Sequence, residues 1–570
     1  MRATAMRTVS AAAMAAAVLL VPRAATAAGG SQAWMPTHTR ALSLRGRLLG
    51  SAPAGERLEV SVTLPLRNSD VIDRLIEARR IMTPAQVTAR FGPTGGSVHA
   101  VEGYLVAQGF KDVSASSNRL LVTGYASVAD VERAFHTTIA DYRLAGRTVY
   151  ANTAAASVPA FLHGDAAAVL GLSDVPMHLP VVSQSSPDTS GFTPRALQHA
   201  YDAASMKPAS STVVAIIASG DMRPIIANLR YAEKAWGFPQ VLVQVVYDGP
   251  RNGIVGSNPL TGNAEWDLDT QLSTMISGAV RRLEIYDVAT FTDPEVARGI
   301  NMFVEQDRAT GLSASLGECD YIAFLDGAML TTDESLAEGA LQGQSMFAST
   351  GDNGYACPEV ASSGVPEGPP GVSWPSDGEY TTGVGGTTLL ADSKGRVTEE
   401  TAWIGGGGGV SPWETAAPWT LQANGAGQAW EYTNQGGRSV PDVAAVADPL
   451  APVLIYTSDT KGSTPSSVGG TSVASPLTLG LWARVENAHH DRLGLAQYDF
   501  YALYDKVNPA TIENTPLGPT YVPDPAPKPV PGFRDIVIGT NGGCVAKPGY
   551  DYCTGIGSVQ AAALSAALRG

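Results

Sequence analysis

Two short stretches of this 570-residue chain carry side chains that could do hydrolytic chemistry. Residues 466–476 read SSVGGTSVASP, and Ser472 within them could act as a nucleophile if a neighbouring group took its proton. Residues 263–277 read NAEWDLDTQLSTMIS, where Asn263 could cap a helix. On such a helix Glu265 and Asp269, four positions apart, share one face, while Asp267 points elsewhere. Two carboxyls held close cannot both ionise easily, so they tend to share one proton. Sharing raises the affinity of the pair for a proton, and a base of this kind can serve a serine in acid. An acidic first turn also suits the helix dipole with no catalytic role, so the pair alone is a weak signal.

Histidine, the usual partner of a nucleophilic serine, is badly placed. Five of the eight histidines, at 38, 99, 136, 163 and 178, lie in the first third of the chain. His489 follows Ser472 by 17 residues. On one helix that is roughly 25 Å, far beyond hydrogen-bond reach. His490 is its neighbour, and His199 lies in RALQHAYD, which reads as an early surface helix. The Gly-Thr-Ser stretch with its following proline resembles the nucleophile turn of subtilisin-type peptidases, but a Ser-His-Asp site lacks its histidine. An aspartic peptidase using Glu265 and Asp269 directly would leave Ser472 without a purpose.

The elements that must position these groups divide the chain. From 28 to about 178 it reads as a small α/β unit. RLEVSVTLPL alternates like a strand, and Thr83-Pro84 opens a helix through AQVTARF. SVHAVEGYLVAQG reads as a helix starting at Ser97 and stopping at Gly109, RLLVTGYA as a strand and VADVERAFH as a helix. Residues 179–191, LPVVSQSSPDTSG, have the composition of an exposed, cleavable linker. From 192 the pattern changes. TVVAIIASG at 212–220 has the continuous β-branched character of a buried parallel strand. Further strands are expected in VLVQVVYDG, RLEIYDV, LSASLG, SMFASTGD and PVLIYTS, with helices near 264–279, 292–308, 332–344 and 472–488. This alternation predicts a doubly wound α/β domain whose site gathers at the carboxyl ends of the strands.

Residues 1–27 carry Arg2 and Arg7, an apolar AAAMAAAVLLV and a small-residue ATA, the pattern of a secretory signal. Four cysteines in an exported chain favour disulfides. Cys544 with Cys553 closes a short loop, and Cys319 with Cys357 then follows by elimination. Beyond the signal no apolar run is long enough to span a membrane. No P-loop lysine follows a glycine run, so nucleotide binding is not supported. Nucleic acid is not an expected partner either. Residues 1–190 carry a net charge of +4 and residues 191–570 a net charge of −19. These parts attract at neutral pH, and the attraction weakens as carboxylates take up protons.

With both chemical stretches in view, the chain resembles the sedolisins, serine-carboxyl peptidases of the kumamolisin type. MTPAQVTARFGP, VEGYLVAQGF and VADVERAFHTTIADY are similar to the family's prodomain. FTPRALQHAYD, EWDLD, FASTGDNG, GVGGTT, GGGGGVSPWE, GRSVPDVAAVADP, GGTSVASP and FRDIVIG…PGYDYCTGIG are similar to its catalytic part, in the same order.

The resemblance implies a subtilisin-like, doubly wound parallel-sheet domain over 192–570, preceded at 28–185 by a smaller, ferredoxin-like α/β prodomain that assists folding and blocks the cleft. It implies Ser472 as nucleophile, Glu265 as general base and then acid, and Asp269 as the partner holding Glu265. Asp352 would line the oxyanion hole, donating from a protonated carboxyl; alone, it would read as a turn residue before Asn-Gly. One structural calcium ion is implied, held by the side chains of Asp535 and Asp551 and the carbonyls of Ile536, Lys547 and Gly549, with water completing the shell. Lys547 stands where the family usually has glycine. The five glycines at 405–409 would form a cleft-lining loop. The expected protein is a secreted, monomeric zymogen that becomes an acid-acting endopeptidase on protein or peptide substrates. A non-catalytic binding protein on the same scaffold is the alternative.

Overall fold

In the computed structural model the apolar run at 212–220 lies near the middle of a mostly parallel sheet. The structure describes residues 33–177 except 43, 45 and 145, then 190–248, 263–357, 371–424, 437–459, 462–515 and 518–569. The expected signal at 1–27 and all but the last two residues of the expected linker lie outside the described residues, as does the Asn263 side chain.

The front part builds a four-stranded antiparallel sheet. Its strands are β1 (Arg57–Thr63), β2 (Lys111–Ala115), β3 (Leu121–Ser127) and β4 (Ala168–Leu170), in the order β2-β3-β1-β4. The short helix Pro84–Arg90 starts as expected, with Thr83 and Gln86 closing a reciprocal capping box before Pro84. The next helix, Gly95–Ala107, begins earlier than expected. Thr94, not Ser97, is the cap, because its extended backbone lets its hydroxyl accept from Ser97 N at 3.0 Å. Val101, Leu105, Val131 and Phe135 from the helices meet Val60, Val62, Val122 and Val169 from the sheet in a core of the front part's own.

The back part places β5 (Ala209–Ser219), β6 (Val243–Tyr247), β7 (Val280–Val288), β8 (Gly311–Ala314), β9 (Ser345–Ser349) and β10 (Thr381–Ala391) in one sheet with β11 (Val397–Ala402) and β12 (Val443–Val446). The path runs β6-β7-β5-β8-β9-β10-β12 with every neighbouring pair parallel. Residues 213–219 of β5 are buried on both faces, so helices must cover each side. PVLIYTS departs from expectation. Strand Val453–Asp459 leaves the main sheet and pairs antiparallel with Gly462–Val468. Strands this near in sequence pair antiparallel directly, whereas a parallel partner needs a long crossover.

Four helices matter for the site: α1 (Asn263–Ile276), α2 (Asp293–Gln306), α3 (Ala328–Gln342) and α4 (Thr471–Ala488). Helix α4 is buried from Thr471 through Glu486 and crosses the sheet against α1. The two approach closely at Gly480, where a Cβ would come within 2.7 Å of the Ile276 Cβ. Helices α2 and α3 instead face the front part. Asn118 donates to Asn301 and Glu338, both at 2.8 Å; Ser117 N donates to Glu305 at 2.7 Å, and Leu66 N to Glu334 at 2.7 Å. Leu66, Ile72, Phe91 and Leu170 of the front part join the back part's core, and Trp34–Gly570 form one compact unit. Both expected disulfides are present, Cys319–Cys357 and Cys544–Cys553. No helix among the described residues is long and apolar enough to cross a membrane.

Candidate active site

Ser472 sits at the second position of α4, directly after a tight glycine turn. Gly470 has φ +110°, and a Cβ there would lie 2.6 Å from the Asp352 Oδ2, so only glycine lets the nucleophile turn and the Asp352 loop meet. Helix α1 is pinned to the sheet beside it by the Trp266 indole, which donates to Ser219 O at 3.0 Å. Its two inward carboxyls face the serine. Glu265, Asp269 and Ser472 are 2%, 0% and 1% exposed, so water is largely excluded from the group. Asp267 turns away, as helical spacing requires, and accepts two bonds from the Asn228 amide at 2.8 and 3.1 Å.

Burial, and then the charge of Asp269, push the Glu265 carboxyl well above its usual range. The nearby Ser472 hydroxyl pulls it partly back and Asp352 adds a further rise. By strict geometry, however, the Ser472 Oγ and both Glu265 carboxyl oxygens have no hydrogen-bond partner among the described residues. We read the two groups as adjacent but not bonded, a common state of catalytic pairs without substrate. Burial also raises Asp269 well above its usual range, opposed by a bond from Ser315. Raised carboxyls are not unique to this spot: Glu318 and Glu486 reach about 8. The distinguishing feature is convergence on one serine.

Asp352 follows β9 at the carboxyl end of the sheet. Its Oδ1 accepts from Thr471 N at 2.7 Å and from the Thr471 hydroxyl at 2.9 Å. That leaves Oδ2 to carry a proton. Asp352 keeps some exposed surface although protein surrounds it closely, and burial raises its pKa against the pull of the Thr471 bonds. The glycine loop at 405–409 packs on the same turn, with Gly407 N donating to Gly351 O and Thr350 Oγ1 to Gly407 O, both at 2.8 Å. His199 is exposed on its surface helix, and His489 caps the far end of α4 and contacts Ser565 O at 3.0 Å, so neither reaches the serine. Ser315 and Thr471, which bond Asp269 and Asp352, were not singled out from the sequence. The only signal for Ser315 is its position just after a parallel strand.

The C-terminal loop brings the residues expected to hold calcium together. Gly549 N donates to Asp535 Oδ2 at 3.0 Å and Lys547 N to Asp551 Oδ2 at 2.9 Å, so both carboxyls converge on one short segment. Burial raises both. Neighbouring cations are engaged elsewhere: Arg534 pairs with Glu400 at 2.7 Å, and Lys547 is exposed. Among the described residues no backbone N–H donates to the carbonyls of Ile536, Lys547 or Gly549. Nor does any group of three or more His, Cys, Asp or Glu there stand ready for a metal. Two carboxylates with spare lone pairs and three uncommitted carbonyls are a hard-oxygen set that fits calcium.

Known proteins resemble this chain over most of its length. Residues 45–175 match the model of the pro-kumamolisin activation domain. The chain is 32% identical to sedolisin of Pseudomonas sp. (strain 101), over 95% of this chain and 94% of that protein. It is 28% identical to xanthomonalisin of Xanthomonas sp. (strain T-22), over 90% of this chain and 66% of that protein. Among solved structures it is similar to Pseudomonas sedolisin, a serine-carboxyl proteinase complexed with two molecules of pseudo-iodotyrostatin. That match has a TM-score of 0.56 and 31% identity, covering 67% of this chain and 98% of the other.

Proposed function

The chain belongs to the sedolisin family of serine-carboxyl peptidases, and from that premise we propose that it is a secreted zymogen whose mature form cleaves peptide bonds in acid through Ser472, Glu265, Asp269 and Asp352. The observation carrying this reading is a buried serine beside two buried carboxyls, both raised well above their usual range, with neither His199 nor His489 near it. Ser472 Oγ attacks the scissile carbonyl as its proton passes to Glu265. Asp269 takes part of the resulting charge change, and the same proton then goes to the leaving amine as the C–N bond breaks. Asp352, neutral in acid, donates from Oδ2 to the developing oxyanion. Water repeats the sequence on the acyl-enzyme. Both requirements, a pair holding one proton and a protonated Asp352, favour acid. A pH–activity profile on a mixed peptide library, with Ser472→Ala as control, tests the reading. Activity in the control, or an optimum at neutral pH, would overturn it.

The front part, which carries the activation-domain match, is proposed as the intramolecular inhibitor, with the family domains at 28–185 and 192–570 and cleavage within 179–191. Its last described residue, Met177, donates its N–H to Phe291 O at 2.9 Å. The Phe291 ring lies 5.7 Å from that of Trp266, the neighbour of Glu265, so Met177 lies close to the proposed cleft. Many of the contacts holding the front part run into carboxylates. Glu334, Glu338 and Asp499, bonded to Leu66 N, Asn118 and Arg79, are each raised by burial to about 7. Because burial is the larger cause of each rise, docking of the front part takes up protons at these groups and is favoured, not opposed, by acid. The drive for release in acid is instead the weakening attraction between the +4 front part and the −19 back part as carboxylates protonate. Glu338→Gln, which keeps an acceptor for Asn118 and has no charge to desolvate, should hold the front part more tightly at neutral pH and little differently in acid. Mass analysis of the full chain across a pH series would read this, and release at neutral pH but not in acid would refute the electrostatic account.

Asp535 and Asp551, with the carbonyls of Ile536, Lys547 and Gly549, are proposed to hold one calcium ion. It would supply positive charge that ties the disulfide-closed loop to the sheet edge, and no catalytic step. EDTA should lower the melting temperature by several degrees, as loss of a ligand at about a hundred times its Kd costs about 2.7 kcal/mol. An unchanged melting curve would count against the site.

A further inference from the structure

We infer that Ser315 is a positioning residue for the base pair: its hydroxyl lies between Asp269 and the nucleophile's own carbonyl and leaves only Asp269 Oδ2 to exchange a proton with Glu265. This rests on the assignment of Ser472, Glu265 and Asp269 above. Ser315 follows β8 directly and is fully buried. Its Oγ lies 2.5 Å from Asp269 Oδ1 and 3.2 Å from Ser472 O. A hydroxyl has one proton to give, and the shorter bond to the carboxylate is the stronger. With Oδ1 occupied as an acceptor, a proton arriving on Asp269 is directed to Oδ2, which has no partner among the described residues. The residue therefore touches both halves of the machinery without touching substrate. It ties the carboxyl on α1 to the backbone of the nucleophile on α4 through the end of a rigid central strand.

The charges acting on the pair are those of Glu265 and Asp269 on each other and of Asp352 from the loop after β9; the neutral hydroxyls of Ser472 and Ser315 complete its surroundings. Among these groups Ser315 favours the ionised form of Asp269. Without it the pair holds its second proton more tightly, so the acid limb of kcat/KM moves to higher pH. The proton balance of the reaction is unchanged. The Ser472 proton still passes to Glu265 and out to the leaving amine, but through a carboxyl free to rotate. One turn away, Ser313 Oγ and Ser475 Oγ meet at 2.8 Å. This second link between β8 and α4 has no contact with the base pair, so Ser313→Ala is the matched control for a purely structural effect.

The test compares Ser315→Ala, Ser315→Thr, Ser313→Ala and Ser472→Ala in the full-length chain. It reads kcat, KM, the pH profile and the melting temperature of each. Where a variant does not mature, the rate of self-cleavage at each pH replaces turnover. Ser315→Ala is expected to lower kcat roughly ten- to a hundredfold with KM within about twofold, and to move the acid limb up by about one unit. Ser315→Thr, which keeps the donor, should recover the limb and most of the turnover. Ser313→Ala should leave the limb in place. If Ser315→Ala fails to fold, Ser315→Cys, a weak donor, should show an intermediate limb. A wild-type limb in Ser315→Ala or Ser315→Cys, or a limb shifted equally in Ser313→Ala, overturns the inference. If Ser472→Ala is dead while the Ser315 variants are normal, only this inference fails. If Ser472→Ala stays active, the underlying assignment fails with it.

Discussion

Ser472→Ala is expected to lower kcat by about a millionfold and to leave the purified chain at full length at every pH. The magnitude is that seen when the nucleophile of another serine peptidase is removed, where the remaining groups act only as a unit with the serine. The structure makes substitution of function difficult. The other hydroxyls of the group, on Ser315 and Thr471, are committed to Asp269 and Asp352, and the pair is too enclosed to recruit bulk water easily. The same variant separates the rival readings. An aspartic peptidase working through Glu265 and Asp269 would tolerate it. A binding protein would show no hydrolysis even with Ser472 present. A histidine-dependent site would show a neutral optimum, with a loss on changing His199, His489 or His490. Self-processing gives a second readout in the same tube, since mass alone reveals whether the front part has been cut.

Asp352→Ala should cost about 2.7–4 kcal/mol in the barrier, or roughly a hundred- to a thousandfold in kcat, with KM little changed. The loss would fall on the transition state because Oδ2 is aimed at a charge that exists only there. The pH dependence makes the prediction sharper. Burial raises the Asp352 pKa, so its donor is present below that pKa and is lost as pH rises through it. Asp352→Asn can still accept from Thr471 through its oxygen and donate from its amide at any pH. It should therefore keep much more activity than Asp352→Ala, and the alkaline limb that Asp352 imposes should disappear. Equal loss in both variants, with folding intact, would point to a structural role in holding the Thr471 turn.

Features that depend on near neighbours in the chain were legible without coordinates. Glu265 and Asp269 share a face and Asp267 opposes them because the helical period dictates it. The Thr83-Pro84 helix start and the short Cys544–Cys553 loop are equally local, and the missing histidine is a matter of where eight residues stand. The helix starts at Thr94 and not at the expected Ser97: Gly95 and Gly96 are poor helix formers, while the cap that outweighs them is a backbone geometry. The strand at 453–459 pairs with 462–468 and not with the main sheet, because an apolar run does not state which strand it will pair with.

By itself, then, the sequence determined which side chains could form an acid-working serine site and which local elements would carry them. Only the tertiary structure decided that Ser315 bonds Asp269, that Thr471 orients Asp352, and that the front part grips helices α2 and α3 through carboxylates. Those contacts join residues 46 to 268 positions apart. No local periodicity encodes such pairs. They exist because one close-packed core fixes the strand order, the helix crossing at Gly480 and the burial that makes each carboxyl seek a partner.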